Sequence, residues 1–139
     1  MPASQPRVLE FDVTVDEDRT ARSGAAGSPL PPEDAWTAEH LALAALVRCT
    51  LSSLDYSAQR AGLTAVASGS ARGVVTKRES DGLYAFVDVE ARYAVELADV
   101  PEASVVTELL ERAERGCFVG NSLTARPRYR WTVNGEDVR

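Results

Sequence analysis

The run from Ala38 to about Arg60 contains neither Gly nor Pro, is rich in Ala and Leu, and stops just before Gly62. It reads as one long helix. Thr37 is placed to cap it, Trp36 and Leu41 to staple its entry, and Glu39 falls in its first turn. Between Leu41 and Leu54 the run is apolar around much of its girth, as expected of a helix buried on several sides. A chain of 139 residues suits one domain with a real core, and this helix is its expected centre.

Around it the periodicity changes. Residues 8–15 alternate, with Leu9, Phe11, Val13 and Val15 apolar, which predicts a half-buried strand. Residues 16–35 lose all periodicity and carry Pro29, Pro31 and Pro32, which predicts a long loop with little structure of its own. Residues 63–77 read as a weaker strand interrupted by Gly69 and Gly73. Residues 83–97 alternate strongly through Leu83, Ala85, Val87, Val89, Ala91, Tyr93, Val95 and Leu97. Ser80-Asp81-Gly82 between them reads as a hairpin turn. Pro101 and Glu102 open a second helix with an apolar stripe of Val105, Val106, Leu109, Leu110 and Ala113, closed by Gly116. Residues 124–133 form a last strand, with Tyr129, Trp131 and Val133 inward and Arg126, Arg128 and Arg130 outward. The order is α+β.

The rarer residues narrow the chemistry. Fifteen basic residues against 21 acidic give a net charge of −6, a poor match to nucleic acid, which needs clustered positive charge. No apolar run approaches the roughly 20 residues of a membrane span. MPASQPRVLE shows no apolar signal region, so a cytoplasmic protein is expected. There is one His, His40, and there are two Cys, Cys49 and Cys117. This set completes no four-ligand zinc site without carboxylates, and no metal is expected. Neither GxGxxG nor GxxxxGK[ST] occurs. Thiol chemistry remains, or no covalent chemistry. On residue type alone, Cys49 reads first as a small buried hydrophobe, and Glu39 equally as a carboxylate facing the helix dipole.

Two segments carry a resemblance. WTAEHLALAALVRCTLSSL is similar to the first motif of the OsmC/Ohr family, the osmotically inducible and organic-hydroperoxide-resistance proteins, with Glu39 and Cys49 ten apart as that pattern has them. ERAERGCFVGNSL resembles the family's second motif, in which a Cys follows the second helix. Ala38 stands where the pattern usually has Pro, and Arg48 where a small residue is commoner. The resemblance implies a single OsmC-like domain over 1–139: an antiparallel sheet, a long central Cys-bearing helix and a second helix, in an intertwined homodimer. It implies a two-cysteine thiol peroxidase acting on organic hydroperoxides. Cys49 would be the peroxidatic residue and Cys117 the resolving one. Arg19, with Arg22 as the alternative, would pair with Glu39 near the reactive sulfur. No bound cofactor is implied, only an external dithiol reductant of lipoyl type.

The chemistry behind those types is general. Thiolate, not thiol, cleaves an O–O bond, so Cys49 is expected to titrate below a free thiol, with a guanidinium favouring the anion. Ten residues of helix separate Glu39 from Cys49 by about 15 Å, so a Glu39 that serves Cys49 is expected to come from a second chain. Two other readings stand: a non-enzymatic binding or stress-response module of the same fold with non-cycling cysteines, and an enzyme using Cys49 alone.

Overall fold

The computed structural model describes residues 5–32 and 36–139, which divide into two compact units, Met1–Thr37 and Ala38–Arg139. In the first unit β1 (Val13–Val15) pairs antiparallel with β2 (Ala21–Ser23). The expected strand over 8–15 is thus cut to three residues, and its side chains are exposed rather than half-buried; Phe11 is 85% and Val13 70% accessible. The expected loop over 16–35 carries β2 and a bridge from Ala21 to Leu30; residues 33–35 of that expectation lie outside the described residues. What closes the hairpin is local hydrogen bonding, not periodicity. Asp16 N–H donates to Thr20 O at 2.9 Å, and Thr20 N–H donates to Asp18 Oδ1 at 2.9 Å.

The second unit begins with α1 (Ala38–Arg60), one residue after Thr37. At 1.5 Å per residue it is roughly 35 Å long. Its enclosed residues are Leu46, Thr50, Leu54 and Ala58, a single stripe at four-residue spacing, not the several sides its composition predicts. Leu41 remains 40% exposed, and Leu43, Val47 and Cys49 are half-buried.

β3 (Ala65–Lys77) and β4 (Tyr84–Leu97) form a long antiparallel hairpin. Asp81 closes the turn by accepting from Leu83 N and pairing with Arg78, and Gly82 takes φ 73, open to Gly without a steric penalty. Gly69 and Gly73 do not interrupt β3; they make room for rings. A Cβ at Gly69 would stand 2.6 Å from the Tyr93 ring, and one at Gly73 2.6 Å from Phe86. The alternation of β4 holds only from Val89 to Leu97. The register skips between Val74↔Asp88 and Val75↔Phe86, leaving Val87 as a bulge. Upstream of it Phe86 turns inward, while Val87 and Leu83 are exposed.

α2 (Ala103–Arg115) buries Val106, Leu109, Leu110 and Ala113, with Val105 left at the margin. Gly116 ends it, its N–H donating to Arg112 O at 2.9 Å. A short helix, α3 (Phe118–Ser122), leads to β5 (Arg128–Val133). β5 pairs parallel with β4, so the sheet is mixed and not purely antiparallel as expected. The helical crossover from β4 to β5 is what permits that direction. β6 (Glu136–Asp137) adds a final antiparallel strand through the Asn134-Gly135 turn, giving the order β3-β4-β5-β6. Trp131 and Val133 face the core, Tyr129 is half-buried, and Arg128 faces out, pairing across the sheet with Asp88 and Glu90 at 3.0 Å each.

Candidate functional site

Cys49 and Cys117, 68 positions apart in sequence, are brought side by side and are both free thiols. Cys49 lies at mid-length of α1, half-buried, one residue ahead of the enclosed stripe. Cys117 is 0% exposed and caps α3, its sulfur accepting from Gly120 N–H at 3.3 Å. Thr50 Oγ1 donates within 3.0 Å of Leu46 O and 3.2 Å of Cys117 Sγ, and Cys117 Sγ–H faces Leu46 O at 3.8 Å. Beneath them lie Tyr93 and Tyr129, ring centroids 6.4 Å apart, with Tyr93 stacked on Trp131 at 4.5 Å. Trp131 Nε1–H donates to Glu114 Oε2 at 2.9 Å, tying the sheet to α2.

Burial is the largest influence and pushes the Cys49 thiol up; the N–H of Val119 pulls it down, the neighbouring Cys117 pushes it up, and the N–H of Phe118 pulls it down least. Within this unit the direction is opposite to that of an activated thiol. Burial also raises Tyr93 to about 12 and lifts Tyr129 well above the usual phenol range. The Tyr93 hydroxyl, in a residue 3% exposed, makes no hydrogen bond among the described residues; Thr50 lies close enough only to temper its shift.

The other expected site residues belong to other parts of the chain. Glu39 is exposed in the first turn of α1, and the helix runs unbroken past Cys49, so one chain does not bring the two together. Arg19 occupies the turn of the β1–β2 hairpin with φ 77, and Arg22 on β2 is engaged by Asp16 at 3.0 Å. Thr50, Gly120, Tyr93 and Tyr129 surround Cys117 without having been singled out by sequence. Their signal was parity: Thr50 shares the four-residue stripe of Leu46 and Leu54, and Tyr93 and Tyr129 share the inward phase of their strands. Among the described residues no cluster of His, Cys, Asp or Glu could hold a metal, and no helix is long and apolar enough to cross a membrane.

The model of a family described as OsmC-like protein matches residues 31–132. No curated protein matches the sequence. Solved structures do match in fold. An OsmC-like protein of unknown function from Vibrio cholerae has a TM-score of 0.73 at 15% identity, covering 90% of this chain and 100% of that one. An organic hydroperoxide resistance protein from Elizabethkingia anophelis, with thiocyanate bound, gives 0.65 at 15% identity over 93% and 98%. The organic hydroperoxide resistance protein OhrB of Bacillus subtilis gives 0.56 at 14% identity over 92% and 98%.

Proposed function

The chain belongs to the OsmC-like protein family, and we propose that it is a two-cysteine thiol peroxidase that reduces organic hydroperoxides. One observation carries the reading: a half-exposed thiol and a fully enclosed one, from remote segments, lie side by side in the reduced state. That asymmetry suits a reactive sulfur and a protected partner. Relatives of the same fold bear the name organic hydroperoxide resistance protein.

The Cys49 thiolate attacks the outer oxygen of ROOH. The O–O bond breaks, ROH leaves with a proton, and Cys49 becomes a sulfenic acid. Cys117 then attacks the Cys49 sulfur; the S–O bond breaks, hydroxide leaves as water with the Cys117 proton, and a disulfide forms. An external dithiol of lipoyl type restores both thiols and is itself oxidised to a disulfide. The half-buried apolar residues along α1 near Cys49, among them Leu51, suit an organic peroxide better than hydrogen peroxide.

Because burial opposes ionisation of Cys49, the reaction needs a cation beside the sulfur. Arg19 is assigned that role, held by Glu39. With about 15 Å of helix between Glu39 and Cys49, the carboxylate is assigned to the partner chain of a cytoplasmic homodimer. The rival is the non-cycling binding module, which the raised Cys49 thiol favours. Titration of reduced protein with cumene hydroperoxide separates them. Loss of both thiols per chain, restored by dihydrolipoamide, supports the peroxidase; two unreactive thiols establish the rival. In the peroxidase, Cys49→Ser abolishes consumption, and Cys117→Ser permits one oxidation without turnover.

A further inference from the structure

Thr50 is the one fully enclosed polar residue among the described residues, at 0% exposure. A threonine inside a helix satisfies its hydroxyl by donating to the carbonyl four residues back, and Leu46 O at 3.0 Å serves that purpose. The same hydroxyl also stands 3.2 Å from Cys117 Sγ. It has one proton and two acceptors. Cys117 Sγ in turn has its own proton facing Leu46 O at 3.8 Å, and receives Gly120 N–H at 3.3 Å. Thr50 Oγ1, Leu46 O and Cys117 Sγ therefore close a triangle in which a proton can turn from one acceptor to the other without moving a heavy atom.

We propose that Thr50 is a positioning residue for the resolving step: its hydroxyl proton turns from Leu46 O onto the Cys117 sulfur as that sulfur ionises. This rests on the disulfide cycle proposed above. During the step the Cys117 proton leaves with the sulfenic oxygen as water, the S–S bond replaces the S–O bond, and Thr50 neither gains nor loses a proton. With the thiol intact, Thr50 serves the helix. As negative charge gathers on sulfur, Thr50 and Gly120 N–H present donors already in place, beside the Tyr129 hydroxyl, without reorganisation. No charged side chain is needed for this second sulfur, in contrast to Cys49. Valine has nearly the shape of threonine but no hydroxyl, so it isolates the donor from the packing.

The test uses the full chain, fully reduced and mixed with one equivalent of cumene hydroperoxide, then quenched at intervals. Cys49 sulfenic acid is counted by dimedone adduct and the Cys49–Cys117 disulfide by mass. Loss of one donor to a developing anion is expected to slow condensation about tenfold. In Thr50→Val and Thr50→Ala the sulfenic acid persists correspondingly longer, and Thr50→Ser, which keeps the hydroxyl, restores wild-type condensation. A Thr50→Val or Thr50→Ala protein that condenses at the wild-type rate overturns the role of Thr50 alone. So does a Thr50→Ser protein as slow as Thr50→Val, because the methyl group is then what matters. A wild type that forms no disulfide overturns the cycle and, with it, this role.

Discussion

Tyr93→Phe is expected to make the protein more stable, and increasingly so as pH rises. The Tyr93 hydroxyl is enclosed and makes no hydrogen bond among the described residues. Leaving such a group unpaired costs about 1–3 kcal/mol. Removing it recovers most of that, less a small loss of contacts around the missing oxygen, so about 1 kcal/mol of added stability is expected at pH 7. For a chain of 139 residues that corresponds to roughly 3 °C in Tm. The pH dependence follows from the raised folded value of about 12. An unfolded tyrosine ionises near 10. Below pH 10 both states hold the proton and nothing changes. Between 10 and 12 the unfolded chain sheds it while the folded one keeps it, so wild-type stability falls by about 1 kcal/mol per pH unit. Phenylalanine has no such loss. Urea unfolding at pH 7 and pH 11, with equal slopes, measures the gap at each. A Tyr93→Phe protein less stable than wild type at pH 7 would falsify the claim that the hydroxyl is unpaired. A gap that stays flat to pH 11 would refute the buried, proton-retaining phenol.

Gly69→Ala places its methyl against a Tyr93 ring pinned by Trp131, and should cost about 1–3 kcal/mol. Gly73→Ala meets the half-buried Phe86, which can swing, and should cost less; thermal scans of the pair decide the order. Trp131→Phe removes the hydrogen bond to Glu114 and part of a ring that is 1% exposed, and should cost about 2 kcal/mol by denaturant titration. Alkylation of Cys49 against pH should shift upward in Arg19→Ala; an unchanged profile there, with a shift in Arg22→Ala, transfers the role despite the Arg22–Asp16 pair. Mixing Cys49→Ser chains with Glu39→Gln chains should regain activity if sites are shared, since one site of the mixed dimer then carries neither lesion; no regain among chains that exchange overturns the pairing of Glu39 with Cys49 across two chains.

What was legible in the sequence was whatever repeats with a period. α1 begins and ends where Thr37 and Gly62 place its limits, and the inward residues of β5 and of β4 from Val89 onward follow their alternation. Single-residue devices were not legible in that way. The bulge at Val87 reverses parity, and an alternating sequence conceals it because Ala85, Phe86 and Val87 are all apolar. Asn134-Gly135 suits a tight hairpin turn, but the strand it creates is only two residues long and has no periodicity to read. The cysteine pair was legible only through the two motifs; separation in sequence says nothing about proximity until α2 and α3 fold back on α1. The direction of the Cys49 shift was hidden for a related reason. It depends on burial and on a neighbouring thiol, and neither is a property of the local sequence.

The sheet and the thiol pair are linked through register. Parallel pairing sets Tyr93 opposite Trp131 and Ala91 opposite Tyr129, so the inward aromatic residues of two strands fall on one face. Gly69, opposite Tyr93 on the other side, leaves the space into which that ring lies back. A slip of one residue in either ladder would turn these rings outward and remove the floor under Cys117. The bulge that does occur lies at Val87, upstream of this face, and leaves its phase intact. Tyr129, half-buried at the margin of the same face, keeps its hydroxyl beside Gly120, where a methyl group would collide with it. The short turn of helix that carries the enclosed thiol therefore rests on a floor set by strand phase. The placement of Cys117 is a property of the core, whereas in the proposed cycle the charge beside Cys49 comes from outside it.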